Sequence, residues 1–305
     1  MKIFFYSVIC FGLFYIIRVN GPDIIHILSK MHFSILITLI FLQIPVIIAG
    51  GWAFQFLCTP YRVFMPFKDW AGLSFIANFL NQLLPYRPGL GFRYFYLQQN
   101  YQMKISEFIY ATLMYFILMV FTSTVFAILG WGLSDIPKEF NIVIFTGALA
   151  TLVLVGGLLW LSTKDQRSPK IKKYLEAFYP LIENPKLLFW SLFGLAIMNL
   201  LITFIFYLTF HAVSLHLPFT HCLLIVGILT LSMIFPVTPG NIGVLETIIG
   251  SLTLYLYQDF TLGFVAVALY RATQWVPSVI LSAVFSLILL GRWIPQLRNI
   301  RFGRY

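Results

Sequence analysis

Two Pro/Gly-rich stretches interrupt apolar sequence, and charged residues sit beside both. The second is Ile234-Phe-Pro-Val-Thr-Pro-Gly-Asn-Ile-Gly-Val-Leu-Glu-Thr247, between the apolar runs 223–233 and 248–257. Pro236, Pro239, Gly240 and Gly243 cannot continue a helix at low cost, because proline lacks the N–H and glycine loses the most chain entropy. Glu246 follows at once. Arg271 lies eleven residues into the last apolar run, in Ala268-Leu-Tyr-Arg-Ala-Thr-Gln274. A charge at that depth costs about 3 kcal/mol on insertion scales unless it is paired. Glu246 is its natural partner. The first stretch is Pro85-Tyr-Arg-Pro-Gly-Leu-Gly91, with Arg87 inside it and Arg93 just after. Backbone N–H groups at a Gly-rich helix start, together with a guanidinium, suit an anion such as phosphate. The candidate substrate-binding residues are therefore Arg93, Arg271, Glu246, Gly89, Gly91, Gly240, Asn241 and Gly243. Pro85, Pro88, Pro236 and Pro239 set the breaks.

Other polar residues in the apolar runs carry weaker signals. Asn78, Asn81 and Gln82 fall near one face of the helix before the first break, and Asn199, Thr203, His211 and Gln274 occupy later runs. They suit either a polar path or hydrogen bonds between helices. His211, His216 and His221 cluster without an acid or cysteine at metal-ligand spacing, so no metal and no other cofactor is expected. Cys10, Cys58 and Cys222 are isolated, which implies neither a disulfide nor a zinc site. No phosphate-binding Walker loop, His-Glu-x-x-His or nucleophile elbow occurs. Asp23 alone is a poor basis for a membrane transferase, and no catalytic residue is assigned. The expectation is a protein that is not an enzyme.

These residues must be held by a membrane domain. Of 305 residues, 60% are hydrophobic and only 10% charged, against about 25% charged in globular domains. The fold class expected is an all-α polytopic membrane protein with six full spans and two re-entrant helical hairpins. The spans are 3–19, 33–57, 106–131, 141–162, 187–212 and 260–290, each near the ~20 residues a bilayer requires. The hairpins run over 70–99 and 219–257, although 219–257 is long enough to make two spans. The run 3–19 lacks the small-residue cleavage site of a signal peptide. The whole of 1–305 reads as one transmembrane domain, with a connecting loop at 163–186 and a basic tail at 291–305.

Orientation follows from the basic residues. If each hairpin returns to the side it entered, the segments on the N-terminal side hold 16 of the 20 Lys and Arg, and those on the other side hold 3. That asymmetry puts both termini, the loop and the tail in the cytoplasm. It also accounts for the net charge of +10 without nucleic acid.

The two breaks resemble each other. Pro85-x-x-Pro88-Gly89-x-Gly91 matches Pro236-x-x-Pro239-Gly240-x-x-Gly243 with one residue inserted, and Gln102, Phe108 and Leu113 then align with Gln258, Phe264 and Leu269. Three full spans separate the hairpins, an odd number, so the halves 1–131 and 141–290 are expected to be inverted repeats. Inverted repeats with broken helices meeting near the midplane are a transporter architecture.

The runs Asn81-Gln-Leu-Leu-Pro-Tyr-Arg-Pro-Gly-Leu-Gly-Phe-Arg93, Pro236-Val-Thr-Pro-Gly-Asn-Ile-Gly-Val-Leu-Glu246 and Leu269-Tyr-Arg271 resemble the lysylphosphatidylglycerol synthase/flippase transmembrane-domain family over nearly the whole chain. The resemblance implies a plasma-membrane, flippase-like fold linked to aminoacyl-phospholipid or lipid-linked glycan pathways. It carries the family's motif positions onto Pro239, Gly240, Gly243, Glu246 and Arg271, and in the first half onto Pro85, Gly91 and Arg93. The chain departs from the pattern at Asn241, where a second glycine is common. It departs again at Ala111-Thr-Leu-Met-Tyr-Phe116, which lacks a Glu-Arg pair; there Tyr115 takes the place that the repeat relates to Arg271. The soluble aminoacyl-transfer domain of the lysyl-lipid synthases is not expected, nor is aminoacylation. The expected function is a flippase-like transporter of an anionic phospholipid or polyprenyl-phosphate-linked lipid in the cytoplasmic (inner) membrane. The alternative is a non-transporting scaffold for a glycosyltransferase, synthase or other envelope-assembly enzyme.

The charge asymmetry makes a direct topological prediction. In a background freed of the native cysteines, single cysteines introduced at Ser134 and Ser168 should react with an impermeant thiol reagent from opposite sides of the membrane. Labelling from one side would contradict the inverted arrangement.

Overall fold

Apolar runs interrupted by Pro/Gly give long helices where the run is continuous and short ones where it is broken. The computed structural model describes residues 32–84, 86–135, 183–232 and 241–290. Within them lie eight α-helices: α1 (Phe33–Cys58), α2 (Phe67–Leu83), α3 (Pro88–Tyr101), α4 (Ile105–Gly132), α5 (Pro185–Ala212), α6 (Phe219–Ser232), α7 (Val244–Tyr257) and α8 (Phe260–Leu290). Four of them, α1, α4, α5 and α8, are long and apolar enough to cross a membrane. They match the expected spans 33–57, 106–131, 187–212 and 260–290. The expected spans 3–19 and 141–162, most of the loop 163–186 and the tail 291–305 lie outside the described residues. α1 and α8 run unbroken through Pro45 and Pro277.

The short helices pair into hairpins. At about 1.5 Å per residue, α2 and α3 are roughly 25 and 21 Å long, less than the ~30 Å hydrocarbon thickness. Their far ends meet where the Tyr101 hydroxyl donates to Asp69 Oδ2 at 2.5 Å. At the tip, the Gly89 N–H donates to Asn81 Oδ1 at 2.9 Å. The second hairpin closes in the same way. His221 Nδ1, near the start of α6, is hydrogen-bonded to the hydroxyl of Tyr257, the last residue of α7. Each hairpin then ends on a glutamine in the left-handed region, Gln102 at φ 54° and Gln258 at φ 57°.

The first break is narrower than the sequence suggests. Helix resumes at Pro88, so Gly89 and Gly91 belong to the first turn of α3 and not to the interruption. Proline is favoured at a first helical position because the N–H it lacks would have no partner there. The turn is made by Tyr86 and Arg87, both left-handed, at φ 63° and 54°. Gly89 remains essential for another reason. A Cβ there would lie 2.2 Å from the Ala77 carbonyl oxygen, whereas one at Gly91 would meet nothing within 4 Å.

Small residues bring the helices together, as in other membrane bundles. α1 packs along α5, where a Cβ at Gly194 would sit 3.2 Å from the Ala49 carbonyl oxygen. α4 crosses α6 so closely that a Cβ at Gly130 would stand 2.3 Å from Leu224 N. α2 lies on α8, with Phe75 stacked on Phe285 at 5.6 Å. The first helix of each hairpin therefore packs against a long helix of the other half of the chain. Side-chain hydrogen bonds join the same elements. Asn78 and Gln82 of α2 donate to Ser278 Oγ of α8, and Asn199 of α5 links Thr122 of α4 to Thr230 of α6.

Gly89→Ala should lower the unfolding temperature of the detergent-purified protein, at a cost of about 1–3 kcal/mol for forcing α2 and α3 apart. Gly91→Ala, two residues on, should leave it unchanged or slightly raised. Equal losses would mean that both glycines act through backbone freedom, contrary to the geometry.

Candidate functional site

Arg271 and Glu246 meet as their spacing suggested. Arg271 Nε stands 2.6 Å from Glu246 Oε1, with the two side chains 14% and 6% exposed. Glu246 is the third residue of α7, and its other oxygen, Oε2, accepts the Gly243 N–H at 2.8 Å. The carboxylate therefore caps its own helix start, where negative charge is favoured, while it neutralises the arginine. Arg271 also donates from Nη2 to the Asn241 carbonyl oxygen at 2.8 Å. One guanidinium of α8 thus holds both the acid and the backbone of the second break.

That backbone needs special residues. Gly243 has φ 83° and Asn241 φ 56°. Asparagine is among the few side-chain-bearing residues that enter the left-handed region readily. This explains how Asn241 holds the turn without being a glycine. Pro85, Pro236, Pro239 and Gly240 lie outside the described residues.

A cavity of about 210 Å³ opens between α1, α2, α3, α4, α5, α6 and α8. Its walls are mostly apolar, from residues such as Val46, Phe54, Met119 and Ile202. Its polar residues include Arg87, Arg93, Asn78, Asn81, Tyr115 and Gln274. Arg93 reaches in from the second turn of α3. Its guanidinium carbon lies 4.4 Å from the Phe54 ring centroid, and its Nε is buried with no hydrogen-bond partner among the described residues. Arg87, at the left-handed N-cap of α3, lies 4.9 Å from the Phe116 ring centroid. Aromatic faces hold a cation in place but supply only part of what water would, on the order of 0.5–2 kcal/mol.

No Asp or Glu is among the described residues that line this cavity. The nearby acids are committed elsewhere: Asp69 to Tyr101, Glu107 to the Lys104 N–H, and Glu246 to Arg271. The structure thus separates two groups that the sequence had combined. Arg93 lines the cavity, and Gly89 and Gly91 form the helix turn that carries it. Arg271, Glu246, Asn241 and Gly243 are bonded to one another next to the cavity, whose wall on α8 is made by Tyr270 and Gln274.

The remaining polar candidates divide similarly. Asn78, Asn81 and Gln274 line the cavity, and Asn199 joins helices. Thr203 bonds back to the Asn199 carbonyl oxygen, and His211 to that of Tyr207. His211 and His216 are ring neighbours at 4.9 Å, and His221 is bonded to Tyr257. No cluster of three or more His, Cys, Asp or Glu able to hold a metal occurs among the described residues. The sequence had not singled out Thr112 as a lining residue, or the bonds that tie Tyr101 to Asp69 and Tyr257 to His221. The repeated Tyr-Gln at 101–102 and 257–258 was the signal for the latter.

Removing one partner of a buried ion pair leaves the other charge bare, which costs about 3–5 kcal/mol. Glu246→Gln should therefore destabilise the protein strongly. Arg271→Gln on that background should add much less than it does alone, with thermal unfolding of all four proteins as the readout. Additive losses would show that the two groups do not act together.

A family model for the lysylphosphatidylglycerol synthase TM region matches residues 3–282. No curated protein matches the chain. The match takes in both breaks, the cavity and the Glu246–Arg271 network, and with the four long apolar helices it makes this a membrane protein. The chain belongs to the lysylphosphatidylglycerol synthase transmembrane-region family.

Proposed function

We propose that the chain is a flippase-like transporter, not an enzyme, that passes the phosphate of an anionic lipid through the cavity beside Arg93. The observation that carries this reading is Arg93, whose buried Nε has no hydrogen-bond partner among the described residues, in a cavity whose described walls hold no acid. A phosphate crossing the bilayer requires substitutes for its hydration, because a bare charge in hydrocarbon costs far more than a few contacts return. Arg93 and Arg87 would supply charge-assisted hydrogen bonds to its oxygens. The apolar walls would let the tails remain in lipid.

The architecture supports the same reading. The helices of the first hairpin are shorter than a full span, and both hairpins are closed at the mouth by a tyrosine bond, Tyr101 to Asp69 and Tyr257 to His221. The two tyrosines, like Gln102 and Gln258, are 156 positions apart. Such paired devices favour two inverted repeats with re-entrant hairpins, one open to each face. The location that fits is the cytoplasmic (inner) membrane with both termini inside. In this reading Arg271 and Glu246 brace the second hairpin, while Arg93 meets the lipid.

The decisive assay is lipid scrambling in proteoliposomes with labelled anionic phospholipids and polyprenyl-phosphate lipids, with and without a proton gradient. The wild type should accelerate at least one of them, and Arg93→Gln should reduce the rate tenfold or more while the protein stays folded. Movement of none by a folded protein that still supports envelope assembly would favour a scaffold for a glycosyltransferase or synthase.

A further inference from the structure

We infer that the cavity selects a lipid phosphate monoester, a head with close to two negative charges and no ammonium group, over phosphodiester and aminoacylated heads. The inference rests on the transport reading above and narrows it to a substrate class. Its basis is the charge count of the wall. Two arginines, Arg87 and Arg93, line the cavity, and no carboxylate does among the described residues. A phosphodiester brings one negative charge and leaves one arginine uncompensated. A phosphate monoester, with a second ionisation near pH 6, brings about −1.5 to −2 at pH 7 and matches both.

An aminoacylated phosphodiester is a poor fit for the same reason. Its ammonium groups would enter a wall that already carries two cations and offers no described acid to receive them. The nearest deep acid, Glu246, is committed to Arg271 and to the Gly243 N–H. Like charges in so apolar a space repel far more than in water.

The cavity, about 210 Å³ in volume, has room for a phosphate and its ester oxygen. The neutral donors suit phosphate oxygens as well. Asn81 has committed its Oδ1 to Gly89, so its amide NH2 is the group still able to donate. The Tyr115 hydroxyl stands beside Gly50, where a Cβ would come within 3.2 Å of it. The shared chemistry is the monoester. Its tail can be polyprenyl or diacylglycerol, and the experiment separates the two.

The full-length protein in nanodiscs of zwitterionic lipid would be offered polyprenyl monophosphate, phosphatidic acid, phosphatidylglycerol and lysylphosphatidylglycerol, with equilibrium occupancy read by native mass spectrometry. At pH 7.5 at least one monoester should bind tenfold or more tightly than phosphatidylglycerol. The tighter monoester identifies the tail, and lysylphosphatidylglycerol should be weakest. Lowering the pH to 5 removes the second monoester charge and should shrink the preference several-fold, a readout that needs no variant. Arg87→Gln should also reduce it, with phosphatidylglycerol binding changed less. Phosphatidylglycerol or lysylphosphatidylglycerol binding as tightly as both monoesters would overturn the inference and leave anionic-lipid transport standing. Binding of none of the four would overturn the transport reading itself.

Discussion

Charge in a low-dielectric bundle is the constraint on which the rest of this structure depends. A buried guanidinium must find an acid, a set of carbonyls or a ligand, because leaving it bare costs more than helix packing readily returns. Arg271 has an acid and a carbonyl, Glu246 and Asn241, within 2.8 Å. In meeting that need it fixes the local geometry of the second break. Glu246 caps α7 and Asn241 keeps a left-handed turn, and both are tied to α8. Arg93, among the described residues, has the face of Phe54 and a cavity wall with no acid. The first arginine is satisfied by the fold. The second is placed so that an anion from outside the chain would satisfy it.

The two hairpins share their closure and differ in how they are braced. At the mouths, a tyrosine at the end of the second helix bonds a polar residue near the start of the first. At the break the first hairpin has one amide, Asn81, on the Gly89 N–H, whereas the second has the Arg271 network. α7 is also packed along α8, where a Cβ at Gly263 would lie 2.0 Å from Thr253 Oγ1. α3 rests chiefly on α2 and only lightly on α4. The consequence is an asymmetric molecule. In the second hairpin the second helix, α7, is bound along a long helix, whereas in the first the second helix, α3, carries the cations and rests mainly on its own partner α2.

Much of this was legible in the sequence because few residue types can do these things inside a membrane. A lone deep arginine and one acid beside a Pro/Gly break had to be considered together, and they form an ion pair. Four apolar runs of span length became single helices at nearly the expected bounds. Three features were not legible. Pro88 opens a helix where Pro/Gly composition suggested continued interruption, since proline breaks helix interiors but favours their first turn. Composition could not show that Gly89 is required by the approach of α2 while Gly91 is not. Nor could it separate Arg271 from the cavity that Arg93 lines, because the two arginines look alike until the directions of their side chains are known. The tyrosine closures join residues 32 and 36 positions apart, and the repeated Tyr-Gln was their one sign in the sequence.

The central claim is that Arg93, and not Arg271, receives the lipid phosphate. A cryo-electron microscopy map of the protein with lipid bound would test it most directly. The account predicts phosphate density within ~3 Å of the Arg93 guanidinium, a hydrogen-bond distance, with the Arg271–Glu246 pair intact. Phosphate seated on Arg271 with that pair broken, or a carboxylate of the chain itself paired with Arg93, would contradict it.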